Sequence, residues 1–284
     1  MPQVDPVQPL SEPRADARPS ARAERRVALR ADWVAFRTLL FQEIRRFLRI
    51  WPQTLVPPAI SISLYFLIFG AFIGSRIGNM GGLDYMAFIV PGLIMMAVIT
   101  NAYSNVAASF FSSKFQRSIE AILVSPTPPS VILAGFVAGG VARGLAVGAI
   151  VTVMASFFVE FDMHDIAATL GIVLLTAVLF SLGGFINAVF ADKFDDISII
   201  PAFVLTPLTY LGGVFYSIDL LPEFWRTLSY LNPVVYMVGT FRYGFFGIDG
   251  GVSVGWSFAA IGAFVVIFWM ISLWLLRRGT GLRS

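Results

Sequence analysis

Arg143 stands alone as an ionisable side chain deep inside a long apolar run, residues 131–158. About 12 residues into a helix, at 1.5 Å per residue, it lies roughly 18 Å from the helix start, close to the middle of a hydrocarbon core about 30 Å thick. An unpaired arginine there costs at least about 2.5–3.5 kcal/mol, so it must face protein or water and find a partner. Its chemistry is either packing against neighbouring carbonyls or lining a polar route. Asn101 and Asn105 are one helical turn apart and share a face, and they serve either a pathway or cross-helix hydrogen bonds. Tyr210, in another apolar run, is a further candidate lining residue. Gly140, Gly144 and Gly148 recur every four residues beside Arg143, a small-residue stripe that admits a second helix closely.

Other chemistries are missing. With no Cys and one His, His164, there is no disulfide, thiolate or His/Cys-rich metal site. A phosphate-binding GxxxxGK[ST] loop needs a lysine after glycine, but the two lysines, Lys114 and Lys193, follow Ser113 and Asp192. The chain therefore supplies no ATP site and no cofactor site of its own. The acids after residue 53 all fall between apolar runs, which disfavours proton coupling. No hydrolase triad or carboxylate pair is visible, so the chain does not read as an enzyme.

The elements that must position these residues follow from composition. Of 284 residues, 57% are hydrophobic and 13% charged, and mean hydropathy is +0.79. A soluble domain averages roughly 25% charged, so bilayer must be the solvent for most of this chain. The expected fold class is all-α: a polytopic integral membrane protein. Residues 1–53 carry ten Lys or Arg and six acids, the remainder ten and eleven. Basic residues beside a membrane set topology or touch anionic lipid, and no nucleic-acid motif accompanies them.

Residues 1–31, rich in Pro, Ala, Arg and Ser, read as a disordered tail, and residues 32–284 as the membrane domain. Over residues 33–51, Trp33, Phe36, Leu40, Ile44, Phe47 and Trp51 fall at helical spacing, with Arg37, Glu43, Arg45, Arg46 and Arg49 between them. That pattern predicts an interfacial amphipathic helix stopped by Pro52. Six apolar stretches follow, at 54–74, 85–108, 131–158, 166–190, 197–216 and 255–276. Six crossings place both termini on one side. If that side is the cytoplasm, sixteen Lys or Arg lie inside and Arg76, Arg226 and Arg242 outside, as the positive-inside rule requires.

Residues 219–248 read as a re-entrant pair of short helices dipping from the outer face, broken at Asn232-Pro233, with Phe224, Trp225, Leu228 and Leu231 on one face. The loop at 110–130 contains FSSKFQRSIEAILVSPTPP, in which Phe115, Ile119, Ile122 and Leu123 form an apolar face while Arg117 and Glu120 turn outward. This short helix is a handle for a partner or lies passively on the inner leaflet.

The chain resembles the type-2 permeases of ATP-binding-cassette (ABC) transporters from about residue 33 onward. The stretches LVPPAISISLYFLIFG from Leu55, FIVPGLIMMAVITNAYSNVA from Phe88, FQRSIEAILVSP from Phe115, GGVARG from Gly139, FDDIS from Phe194 and LTPLTYLGGVFYSIDLLPEFW from Leu205 through LNPVVY carry the likeness. The resemblance implies a bacterial inner-membrane permease that dimerises, a homodimer being expected. It would dock two separate ATPase subunits that hold Mg-ATP, usually for export of an amphiphilic or hydrophobic substrate. It also implies that Phe115, Arg117, Ile119 and Glu120 belong to a coupling helix, that Arg45, Arg46 and Arg49 lie on an interface helix touching the ATPase, and that Asn232 and Pro233 sit in a re-entrant gate. The alternative left by the residues alone is a self-contained six-span channel or ion-coupled carrier.

Overall fold

The computed structural model describes residues 21–161, 163–248, 251, 253–279 and 281. Helix α1 (Ala21–Arg49) leads into α2 (Trp51–Tyr65), which continues through a wide π-type segment, Phe66–Gly74, to the single turn α3 (Ser75–Ile77). A ribbon of β1 (Asn79–Met80) and β2 (Leu83–Asp84) follows, then α4 (Tyr85–Phe115), α5 (Ser118–Val124), α6 (Pro129–Ala155) and α7 (Ile166–Phe190). The chain closes with α8 (Asp196–Ile200), a π-type turn Pro201–Leu205, α9 (Thr206–Tyr210), a 3-10 turn Ile218–Leu220, α10 (Glu223–Tyr230), α11 (Pro233–Phe246) and α12 (Val254–Arg278). Among the described residues, five helical segments are long and apolar enough to cross a membrane: Trp51–Gly74, α4, α6, α7 and α12.

The sixth expected stretch, 197–216, is shorter in the structure. It forms the 15-residue apolar helix Asp196–Tyr210, and residues 211–216 turn back. Pro207 supplies no backbone donor, and the chain widens just before it, so that Thr206 returns both its N–H and its hydroxyl to the Pro201 carbonyl.

Two boundaries differ from expectation near the N-terminus. The expected tail reaches residue 31, whereas α1 is helical from Ala21; residues 1–20 lie outside the described residues. Pro52 does not stop the first helix, which ends at Arg49; it stands in the first turn of α2, where its missing N–H removes no hydrogen bond. The ribbon was not anticipated by the all-α reading. Its signal is Gly81-Gly82, both at positive φ, joining strands of two residues each, too short for any periodicity.

α4 is the axis of the bundle. It runs between α6 and α7 and is buried along most of its length, from Tyr85 and Phe88 to Phe110 and Phe111. The glycine stripe on α6 lets this happen: a Cβ on Gly140 would meet Val106 and the Ala102 carbonyl, and one on Gly144 would meet Ala102 and the Val98 carbonyl. The stripe is a packing surface, as the spacing suggested. Gly184 does the same from α7, where a Cβ would strike the Tyr103 carbonyl. Phe110 stacks between Phe136 and Phe185, at 5.2 and 4.4 Å between ring centres, tying the three helices together at that level.

Candidate functional site

The polar residues singled out on α4 do not act as isolated groups. Helix α1 lies against α6, with Leu39 on Gly135 and Glu43 on Gly139; these two glycines let its side chains sit close to the α6 backbone. This turns Glu43 inward to 5% exposure, not outward with the arginines as its neighbours suggested. There its carboxylate accepts hydrogen bonds from Ser109 Oγ, from Asn105 Nδ2 at 3.4 Å and from Arg46 Nη2 at 2.9 Å. Arg46 Nη2 also reaches the Asn105 side-chain and backbone oxygens at 3.1 and 3.2 Å. Burial pushes the Glu43 carboxyl above its usual range, opposed by the Arg46 charge and by the hydrogen bonds from Ser109, Arg46 and Asn105.

Arg143 joins one turn further along. Its Nη2 donates to Asn101 Oδ1 at 3.3 Å. Asn101 in turn donates to the Ala97 carbonyl at 3.0 Å. Asn101 and Asn105, on one face of α4, are thus brought near Arg143 and Arg46, and Glu43 and Ser109 complete the group. The last two were missed. Glu43 carries a readable signal: Leu39, Glu43 and Phe47 lie at i, i+4 and i+8, one stripe along α1. Arg45 and Arg49 remain exposed, with Arg45 over the Phe41 ring at 5.7 Å. Tyr210 is elsewhere, at the end of α9, its ring 5.5 Å from Phe215.

Beyond this cluster α4 ends and α5 begins. Arg117 makes the corner at φ 57°, unlike any other non-glycine residue among those described. Ile119 is fully buried with Ile122 and Leu123 packed beside it, and Arg117 and Glu120 face outward. Phe115 departs from the expected apolar face. It is the last residue of α4, 65% exposed, with its ring 5.2 Å from Phe194. The α7–α8 corner is pinned to α4 by Lys114, whose Nζ donates to the carbonyls of Val189 and Ala191 at 2.9 and 2.8 Å.

At the other end of α4 stand the two short helices. Asn232 Oδ1 caps α11 by accepting from Val234 N at 2.9 Å, and its Nδ2 reaches the Leu208 carbonyl at 2.6 Å. Pro233 opens α11, where its fixed φ suits a first turn. Phe224, Trp225 and Leu228 of α10 and Leu231 just after it are all exposed, so that helix offers an apolar face outside the fold of one chain. Arg242 of α11, by contrast, is 7% exposed. It donates from Nε to the Phe88 carbonyl at 3.2 Å and from Nη2 to the Gly213 carbonyl at 3.0 Å, and lies 3.7 Å above the Phe88 ring.

Between α7, α9 and α12 runs an apolar cleft of about 410 Å³ lined by Leu179, Phe180, Leu208, Phe264 and Phe268, with Tyr103 and Asn187 as polar groups. His164 is exposed, edge-on to Tyr243 at 5.3 Å, and no cluster of metal-binding side chains exists among the described residues.

Residues 34–246 match the family model described as ABC-2 type transporter. The chain is similar to the inner membrane transport permease YadH of Escherichia coli (strain K12), 60% identical over 252 residues, or 89% of this chain and 98% of that protein. It is also similar to nodulation protein J of Rhizobium leguminosarum bv. trifolii, 26% identical over 76% of this chain and 82% of that protein. Nodulation protein J of Rhizobium meliloti (strain 1021) is 24% identical over the same shares. A helical chain with apolar spans, no phosphate-binding loop of its own, and a family match over most of its length belongs to the ABC-2 type transporter permeases, and is a multi-pass transport protein of the inner membrane.

Proposed function

We propose that this chain is the membrane-spanning half of an ATP-driven exporter of amphiphilic or hydrophobic molecules, working with two ATPase subunits and a second copy of itself. The observation that carries this reading is the placement of α5: rooted by Ile119 in the core, it presents Arg117, Glu120 and the nearby Phe115 outward at the end of the long helix α4. A partner moving α5 therefore pulls on the axis of the bundle. α4 ends in the same corner and carries Ser109 and Asn105, which grip Glu43 of α1, so motion at α5 and at α1 is joined. The ATPase would hold Mg-ATP, and its closure would act only through contacts that differ between two permease states.

In this reading both termini are cytoplasmic. The 15-residue helix Asp196–Tyr210 completes a sixth crossing, α1 lies along the membrane surface with Arg45 and Arg49 toward the ATPase, and α10 and α11 form an outer gate broken at Asn232-Pro233. The exposed apolar side chains of α2, α10 and α12 then face lipid or the second copy. The cleft around Phe180 and Phe268 suits an acyl chain or similar apolar group.

The test is purification of the tagged chain from native membranes in mild detergent, with mass spectrometry and an ATPase assay on what accompanies it. A stoichiometric P-loop subunit is expected, and Glu120→Arg and Phe115→Asp, both at exposed positions, are expected to reduce its recovery at least tenfold without loss of the folded permease. A folded chain that brings no ATPase under several gentle conditions would favour the self-contained channel or carrier.

A further inference from the structure

Arg242 is a buried cation that the transport reading leaves unused. Among the described residues the one ion pair joins Arg46 to Glu43, so no carboxylate of those residues lies within 4.0 Å of Arg242. Two neutral carbonyls and the Phe88 ring satisfy part of the guanidinium, which has five N–H donors, and none of them cancels its charge. A buried charge without a counter-ion is costly, and the cost falls when an anion arrives.

The space for one is present. Arg242 lines a cavity of about 80 Å³ together with Phe88, Tyr216, Ser217 and Val235. That is the room of roughly two or three water molecules, the size of a carboxylate or phosphate group. Asp219 also borders it, but is exposed and accepts from Ser217 Oγ at 3.3 Å, so it adds a negative charge in the wet part of the cavity. That charge works against a doubly charged ligand and leaves a single one acceptable. Gly239 of α11 lines the same cavity, and a Cβ built there meets nothing within 4 Å, so the space is open on that side as well.

We propose that the cavity over Arg242 binds a singly charged oxyanion, a carboxylate or phosphodiester, with the guanidinium as its counter-charge. The anion is either free in solution or the headgroup of an amphiphile whose apolar part lies outside the cavity. Such binding does not depend on whether the chain works with an ATPase.

The experiment uses the full chain in an uncharged maltoside detergent and follows its unfolding temperature. Dimethyl phosphate is the soluble probe and dihexanoyl phosphatidylglycerol the lipid probe, with chloride at matched ionic strength as reference. Saturable protection of roughly 3 °C is expected at ten times the dissociation constant. Protection by both probes or by the lipid alone assigns a lipid-borne anion, and protection by dimethyl phosphate alone assigns a free one. Gly239→Val narrows the open side of the cavity and keeps the charge, and Arg242→Gln removes the charge. Each is expected to weaken the protection at least tenfold, and if Arg242→Gln does not fold, Gly239→Val decides alone. No protection of the natural chain by either probe, or equal protection of Gly239→Val, would overturn the site.

Discussion

Beside Asn105 of α4 the guanidinium of Arg46 is drawn in against a carboxylate, while 17 residues back along the same helix at Phe88, roughly 26 Å away, that of Arg242 is buried against two carbonyl oxygens and a ring. The two solutions differ in what they make rigid. Around Arg46 the charge is matched by Glu43, and the pair is shared among side chains of α1 and α4, with Asn101 extending the group to Arg143 on α6. Every member that moves leaves another unsatisfied, so the cluster acts as a lock between the first helix and the bundle. Arg242 instead clamps backbone: it holds α11 to the first turns of α4 and to the turn at Gly213, and its charge is left unmatched. The first arrangement suits a joint that must transmit motion; the second suits a place where a mobile anion comes and goes.

Breaking each in turn tests that contrast. Glu43→Ala keeps the Cβ that lies on Gly139 but takes the acceptor from Ser109 Oγ and Asn105 Nδ2, and leaves Arg46 with the Asn105 oxygens and no counter-charge. Removing one partner of a fully buried pair typically costs about 3–5 kcal/mol. Because the Arg46 side chain is 36% exposed and can reach water, the expected loss here is about 2–4 kcal/mol. Arg242→Met removes two hydrogen bonds and a cation–ring contact, and with them the cost of an unmatched charge, so a smaller loss of about 1–2 kcal/mol is expected. Denaturant unfolding in one detergent compares the two directly. An Arg242→Met loss larger than that of Glu43→Ala would mean that the charge is matched by something other than a transient anion.

Much of this arrangement is legible in the sequence. Spans at 85–108 and 166–190 follow from hydropathy alone because lipid leaves a helix no alternative, and the structure lengthens the first to Phe115 while matching the second. Asn101 and Asn105 were legible as a pair because i, i+4 spacing fixes a face, and Arg143 because a cation deep in an apolar run needs a partner. Glu43 was misread because its neighbours Arg45, Arg46 and Arg49 suggested a wet face, although it shares a stripe with Leu39 and Phe47, and Leu39 and Glu43 pack on Gly135 and Gly139. Phe115 was misassigned for a related reason: the left-handed corner at Arg117 separates it from α5, and nothing in the residue type announces that break. The Phe88 and Gly213 carbonyls that hold Arg242 come from segments 154 and 29 residues away, a juxtaposition no local pattern contains.

The smallest effect sharpens the comparison further, because it depends on charge alone. The Glu43 carboxyl is held above its ordinary value of 4.5 chiefly by burial, so the folded chain binds that proton more tightly than the unfolded one. The sign follows: this group's contribution is fully present below the ordinary value and is lost as pH rises through the raised one. For one proton the slope is at most about 1.4 kcal/mol per pH unit. Glu43→Gln keeps the shape and cannot ionise. Unfolding free energies followed upward from the ordinary carboxylate range to neutral pH should therefore fall more steeply for the natural chain than for Glu43→Gln, with all other carboxylates common to both. Parallel curves would show that the Arg46 charge and the three donors, not burial, dominate at Glu43; the lock would then be a true ion pair over the whole range, and its contrast with Arg242 would be greater still.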